Sequence, residues 1–292
     1  MPHLNPLGKY LSLAPAIVVF VLLAILPVIN LIIVSFHEVS WLGGAKQMEW
    51  VGFSNYAAIP DDPLFRAGVF NTIILVLIAT TAQVVIGLAL ALACSALGER
   101  SRSFRALLIL PLLIPGIVIG AIWRLMYNSE FGIFNQVLEA IGFSGHDWLG
   151  SPSTALAAVI LVDIWHWTPF AFLLLLAAVE SLPGDVSEAA KIDGATAWQE
   201  FRYVTLPLLY PAIFMTFLFR AVMASKVFDE VFLLTSGGPG TSTEVISFTI
   251  FQRYFLQDNA GYGSALSVSI MFVVSIIIVI ALNVNRGKGL AP

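Results

Sequence analysis

Four stretches of this chain carry no charged residue over lengths that approach or exceed a bilayer crossing: Tyr10–Phe36, Val69–Gly98, Ala106–Trp123 and Gly263–Asn285. A spanning helix needs about 20 mostly apolar residues. Two further runs, near 153–179 and 206–228, are long enough but contain ionisable residues. The expected fold is therefore an all-α integral membrane protein with six transmembrane helices, at about 11–35, 69–97, 106–126, 153–179, 206–228 and 263–285. The first run is too long for a cleaved leader, its only basic start is Lys9, and no small-x-small site closes it, so it is read as an anchor.

Composition supports this reading. Hydrophobic residues make up 59% and charged ones 11%, with a mean hydropathy of +0.91. Soluble domains carry about 25% charged residues. A net charge of −4 gives no indication of a nucleic-acid partner. The single cysteine, Cys94, lies in an apolar run, so an intrachain disulfide is impossible and no metal cluster is suggested. Cys94 reads as a small core residue.

Basic residues in loops set orientation. Lys9, Arg100, Arg102, Arg105, Lys191, Arg202, Arg286 and Lys288 fall on one side, and Lys46, Arg66 and Arg253 on the other. Both termini are then cytoplasmic. The outer loops are near 37–68, 128–152 and 229–262, the last containing TSGGPGTSTE.

Between the fourth and fifth spans lies a polar stretch, EAAKIDGATAWQEFRYVTLP, running from Glu188 in a cytoplasmic loop at 180–205 to Pro207 at the start of the fifth span. Pro183-Gly184 ends the preceding span. Asp185 can cap a new helix, with Glu188 completing a capping box. Ala189 and Ala190 favour helix and leave a flat face. Gly194 suits a left-handed stop, Thr196 and Gln199 form a second capping box, and Pro207 marks re-entry into the membrane. Connections between packed helices commonly run about 2–8 residues. A longer helical pair with a small flat face and one acidic residue is better explained as a docking element than as a solvated connection.

Ionisable residues at membrane depth are costly and point to function. Arg124 lies about 28 Å beyond Arg105 at 1.5 Å per residue, so it reaches the outer interface. Asp163 is about 14 Å from the outer side, and Arg220 about 9 Å from it in a core of about 30 Å. Their depths differ by about 5 Å, within reach of an arginine, so the pair faces the bundle interior as a structural salt bridge or a substrate contact. Asp163, His166, Trp167 and Phe170 share one helical face, and Pro169 can kink the helix beside them. A carboxylate and an imidazole can hydrogen-bond hydroxyls while an indole covers the CH face of a sugar ring. An aromatic packing patch is the competing explanation. Gly261, Ala265 and Ser269 form a small-residue stripe suited to close helix packing. Gly237–Gly240 forms a turn after the fifth span, placed to meet an external protein.

The loop residues carry a family resemblance. Glu188-Ala189-Ala190, Gly194, Val204 and Leu206-Pro207 resemble the EAA loop of binding-protein-dependent ABC importer permeases, with Val204 where isoleucine is usual. The stretch FRAVMASKVFDEVFLLTSGGPG, 219–240, resembles the carbohydrate branch of that family, the maltose- and glycerol-phosphate-type permeases. One position departs: Met223 stands where an aspartate is common. The resemblance implies a single permease domain over 1–292 in a bacterial inner membrane. Glu188, Ala189, Ala190, Asp193, Gly194, Leu206 and Pro207 would couple it to an ATPase, and it would work by alternating access. It also implies the partners: a second permease, similar but different in sequence, two ATPase subunits and a soluble solute-binding protein. The substrate class would be an oligosaccharide, polyol or sugar phosphate.

Nucleotide chemistry does not belong to this chain. A Walker A loop needs G-x-x-x-x-G-K-[ST], which Gly8-Lys9-Tyr10, Gly237-Gly238-Pro239-Gly240 and Gly287-Lys288-Gly289 do not supply. ATP and magnesium are expected on the partner ATPase, with no cofactor, metal or catalytic residue here. The four histidines are scattered and no G-x-S-x-G occurs. An ion-gradient-driven transporter is the alternative, but it leaves the loop unexplained and shows no clear internal repeat. A membrane scaffold would not need Asp163 and Arg220 at depth.

Overall fold

The computed structural model describes residues 6–42 and 45–286, and the side chains of 13–40 and 47–283. Lys288 and the 287–289 segment lie outside the described residues, as do the side chains of Lys9, Lys46 and Arg286. In chain order the elements are α1 (6–35), β1 (His37–Leu42), β2 (Ala45–Trp50), α2 (Ser54–Ala57), α3 (Pro63–Leu97), α4 (Arg102–Ile109), α5 (Gly116–Met126) and α6 (Ile133–Ala140). They continue with α7 (Ala155–Glu180), α8 (Gly184–Ile192), α9 (Ala197–Ala224), α10 (Asp229–Leu234), α11 (Ile246–Phe251) and α12 (Ala260–Arg286).

Among the described residues five helical stretches are long and apolar enough to cross a membrane: Leu13–Ser35, Pro63–Leu113, Ala155–Glu180, Ala197–Ala224 and Ala260–Asn283. The expected third span at 106–126 is not one helix. Its first part belongs to α4 and a 3-10 turn at Leu110–Leu113, and its second part is α5. Between them Ile114 is extended (φ −90°, ψ 127°), as is Pro115 (φ −58°, ψ 139°). Proline disfavours helix in the residue before it, so Pro115 breaks the run where hydropathy alone showed continuity.

Prolines elsewhere are absorbed. Pro27 and Pro207 each follow a π-helical turn, Val21–Ile25 and Phe201–Thr205. The wider turn relieves the clash of the ring with the carbonyl four residues back. Pro207 therefore does not begin the helix: α9 runs unbroken from Ala197, nine residues ahead of the expected start of the span at 206. The polar stretch is then one short helix, α8, followed by the extended end of a spanning helix. α8 itself begins at Gly184 after an extended Pro183 and has no side-chain cap. Asp185 sits two residues past the N-cap, Pro183, so the first expected capping box is absent. The second is present: Thr196 caps α9 and Gln199 returns the bond to the Thr196 amide (2.8 Å). Gly194 adopts φ +77°, the left-handed stop that glycine supplies without strain.

The described residues fall into two compact units, one within 1–62 and 250–279, the other within 63–249 and 280–292. In the first, the antiparallel β1–β2 hairpin pairs His37 with Trp50. Phe36 stacks on Trp50 (centroids 5.5 Å) and meets Phe53 edge-on (5.2 Å). Asp62 receives both Arg253 Nε (3.0 Å) and Nη2 (2.6 Å), and the Tyr262 hydroxyl (2.9 Å). From the small stripe, Gly261 lies against the His37 carbonyl, where any Cβ would fall 2.0 Å from the oxygen, and Ala265 is fully buried.

In the second unit α3 packs along α7. A Cβ at Gly87 would lie 2.9 Å from the Phe172 amide nitrogen, so the backbones meet there. Ala91, Cys94, Phe172 and Leu175 form the adjoining core, each fully buried. Cys94 is thus the core residue expected. The chain turns at Gly98 (φ +54°), and Arg105 reaches back to the Cys94 carbonyl (3.0 Å). α10 lies on α5 over two glycines: Gly116 faces Asp229, and a Cβ at Gly120 would meet Leu233 Cβ at 2.8 Å. Residues 229–249, expected as an outer loop, therefore fold inward, with Glu230, Val231 and Leu234 buried.

Candidate functional site

α7 brings its charged face to the centre of the second unit. Asp163 and Arg220 approach to 3.1 Å (Oδ2 to Nη2), each about 1% exposed. A third residue completes the pair. Gln83 on α3 donates Nε2 to Asp163 Oδ2 (2.8 Å) and to the Asp163 carbonyl (2.8 Å), and its Oε1 accepts Arg220 Nε (2.7 Å). The guanidinium also lies 4.9 Å from the Trp167 ring centre, a cation–π contact. Gln83 is a neutral amide in the middle of an uncharged run. Weighing only ionisable residues overlooked it, although a buried amide at depth also requires a partner.

One turn along α7, His166 Nδ1 lies 2.9 Å from Glu230 Oε1, with side-chain exposures of 5% and 6%. Glu230 was not foreseen because its segment was assigned to an outer loop. The signal available was the Gly116-x-x-x-Gly120 spacing on α5, which admits α10 closely enough to bury the carboxylate.

These groups border a cavity of ≈ 230 Å³ lined by Gly116, Asp163, His166, Trp167, Met223, Lys226, Val227, Phe228, Asp229 and Glu230. Of the substrate-pathway candidates named from the sequence, Asp163, His166 and Trp167 line it. Phe170 is edge-on to Trp167 (6.4 Å) but does not line it. Arg220 is fully buried behind it. Asp163 Oδ1, His166 Nε2 and Glu230 Oε2 make no hydrogen bond among the described residues. The cavity thus offers acceptor oxygens suited to hydroxyl donors, an imidazole of either role, and an indole.

Arg124, in the last turn of α5, donates to the Leu233 carbonyl (3.2 Å) at an exposed position. Gly237 (φ +82°) and Gly240 (φ +62°) bracket the turn after α10. That turn is fastened to α3 by Asn71, which donates to the Thr241 and Glu244 carbonyls (2.9 Å each). The loop residues named for coupling are well apart from the cavity in sequence and lie at the surface: Glu188, Ala189, Asp193 and Gly194 are exposed and Ala190 is half-buried, while Leu206 and Pro207 stand in the first turns of α9 beyond the π-turn. Beside them Ile192 is 85% exposed. Among the described residues no cluster of three or more His, Cys, Asp or Glu side chains could hold a metal ion.

Apolar helices long enough to cross a membrane, a small polar cavity and an exposed polar helix are features that a membrane transport component requires. The chain belongs to the family described as binding-protein-dependent transport system inner membrane component, whose model matches residues 83–288. It is 36% identical to the trehalose/maltose transport system permease protein MalF of Thermococcus litoralis, over 95% of this chain and 93% of that one. It is 37% identical to the sulfoquinovosyl glycerol transport system permease protein SmoG of Agrobacterium fabrum, over 95% and 90%. In fold it is similar to a chain of a bacterial ABC transporter involved in the import of the acidic polysaccharide alginate (TM-score 0.82, 23% identity, 95% and 94% covered).

Proposed function

We propose that this chain is one permease subunit of an ATP-driven importer for a sugar or sugar-like solute, and that the cavity beside Asp163 lies on the transport pathway. The observation that carries the reading is the extended similarity to sugar permeases, MalF and SmoG among them, along the chain. The site adds chemical support: free carboxylate oxygens and an indole are the groups a polyhydroxylated ring would meet. Residues 1–292 form a single permease domain in a bacterial inner membrane with both termini cytoplasmic.

α8 and the start of α9 act as the coupling element. Glu188 pairs with a basic residue of an ATPase, Ala189 and Ala190 let its surface approach, and Asp193-Gly194 form the turn. Leu206 and Pro207 carry the push into α9. ATP and magnesium bind the two ATPase subunits, and this chain performs no covalent chemistry. A second, similar permease encloses the pathway, and a soluble binding protein delivers the solute from outside. Alternating access follows from differential affinity of ATPases and ligand for two states.

The test uses proteoliposomes holding the whole complex, with its binding protein outside and radiolabelled trehalose or maltose as probes. Uptake is expected to need ATP on the ATPase side and to survive an ionophore. Uptake indifferent to ATP and abolished by the ionophore would replace this reading with an ion-driven carrier.

A further inference from the structure

α8 is joined to its two neighbours in different ways. On one side α7 ends at Glu180, whose carboxylate accepts Arg105 Nη1 (2.6 Å). Arg105 also binds Ser101 (2.7 Å) and the Cys94 carbonyl (3.0 Å), so the end of α7 is moored to the α3–α4 turn. Ser181 and Leu182 still bond back into α7, and Pro183 is then extended (φ −62°, ψ 128°). Among the described residues no hydrogen bond or ion pair joins 184–192 to α7.

On the other side the joint is closed. The Gly194 amide donates to the Lys191 carbonyl (3.1 Å) and the Ala195 amide to the Ala190 carbonyl (3.0 Å). With Gly194 left-handed, these are the two bonds of a Schellman turn. Across that turn Ser187 Oγ donates to Glu200 Oε1 (2.5 Å), and both residues are half-buried. It is the one side-chain hydrogen bond that α8 makes among the described residues, and a carboxylate acceptor makes it one of the stronger kind. Glu200 immediately precedes the π-turn Phe201–Thr205, where the regular winding of α9 is already interrupted.

We propose that Ser187 and Glu200 are positioning residues that latch α8 onto α9. The two then turn as one lever about Leu182-Pro183, and a displacement of α8 reaches the π-turn rather than α7. This inference rests on the reading of α8 as the ATPase-coupling element and adds the route the motion takes. A force on α8 meets no cross-link toward α7. Toward α9 it meets a closed turn and a charge-assisted bond.

The test follows hydrogen–deuterium exchange in the whole complex, nucleotide-free and trapped with ATP, magnesium and vanadate. In the wild type, trapping is expected to change exchange at 184–192 and at 201–205 together. Without nucleotide, S187A should raise exchange at 194–196 about tenfold, the scale of one hydrogen bond to a charged group. On trapping, 184–192 should still respond in S187A while the response at 201–205 is lost. S187T keeps the hydroxyl and restores it. E200A reproduces S187A, and the double variant is no worse than either, as two ends of one bond require. A response at 201–205 that persists in S187A, or a loss that S187T does not repair, overturns the proposal. If 184–192 does not respond in the wild type, the coupling reading itself fails and takes this inference with it. The 184–192 peptide therefore tells the two failures apart, and neither depends on which solute is carried.

Discussion

The second unit contains two buried acid–base pairs one helical turn apart, and they are built differently. Asp163–Arg220 is the more closed: Gln83 ties both partners, Trp167 covers the guanidinium, and neither side chain is more than about 1% exposed, although Asp163 Oδ1 keeps no partner among the described residues. His166–Glu230 is open: one contact joins the partners, and each has an atom with no partner among the described residues beside the cavity. Position in the protein is nearly the same, yet one pair is equipped to hold helices together and the other to exchange partners. The comparison teaches that ionisable residues at depth need not share a role, and that neighbours such as Gln83 decide which role each takes.

The largest effect should come from breaking the closed pair. Removing one partner of a buried ion pair costs about 3–5 kcal/mol because the other charge is left uncompensated. Arg220→Leu is expected to abolish recovery of intact complex in a mild-detergent gel-filtration assay. The double exchange D163R/R220D should recover much of it, since the Gln83 amide can turn to serve the swapped charges. A stable single variant would erase the distinction between the pairs.

Glu230→Gln should be milder for assembly and harsher for transport. The amide keeps a hydrogen bond to His166, so the loss of stability is expected near 1 kcal/mol, the usual net value of such a bond. Sugar uptake should fall by at least tenfold while the complex elutes unchanged. If uptake and assembly decline together, the open pair is structural after all. Trp167→Ala is the smallest test. It removes a cation–π contact of about 1–2 kcal/mol and should lower apparent sugar affinity several-fold in uptake assays, leaving assembly intact. Unchanged uptake would place the ring outside the pathway.

Much of this arrangement was legible in the residues. The apolar runs gave the long helices, and helical rise put Asp163 and Arg220 at compatible depths because both lie on regular, unbroken α-helix. Gly194, Thr196 and Gln199 could be read because their roles depend on local backbone geometry. Features that depended on a break or on a distant partner could not. Pro115 splits the expected third span through a dihedral preference that hydropathy does not record, and the π-turn at Phe201–Thr205 lets α9 continue through Pro207. Asp185 misses the N-cap by two residues because Pro183 already supplies the extended entry to α8. Glu230 and Gln83 entered the site through packing on Gly116, Gly120 and Gly87, contacts between segments far apart in sequence.

The account rests most heavily on α8 as the place where an ATPase pushes. The direct test is native mass spectrometry of the complex purified through a tag on this chain, expressed with its own operon, wild type against Glu188→Arg. The account predicts two ATPase copies and a second permease with the wild-type chain, and loss of the ATPases alone from the variant. A chain that runs alone or as a homodimer with no ATPase in either sample would contradict it.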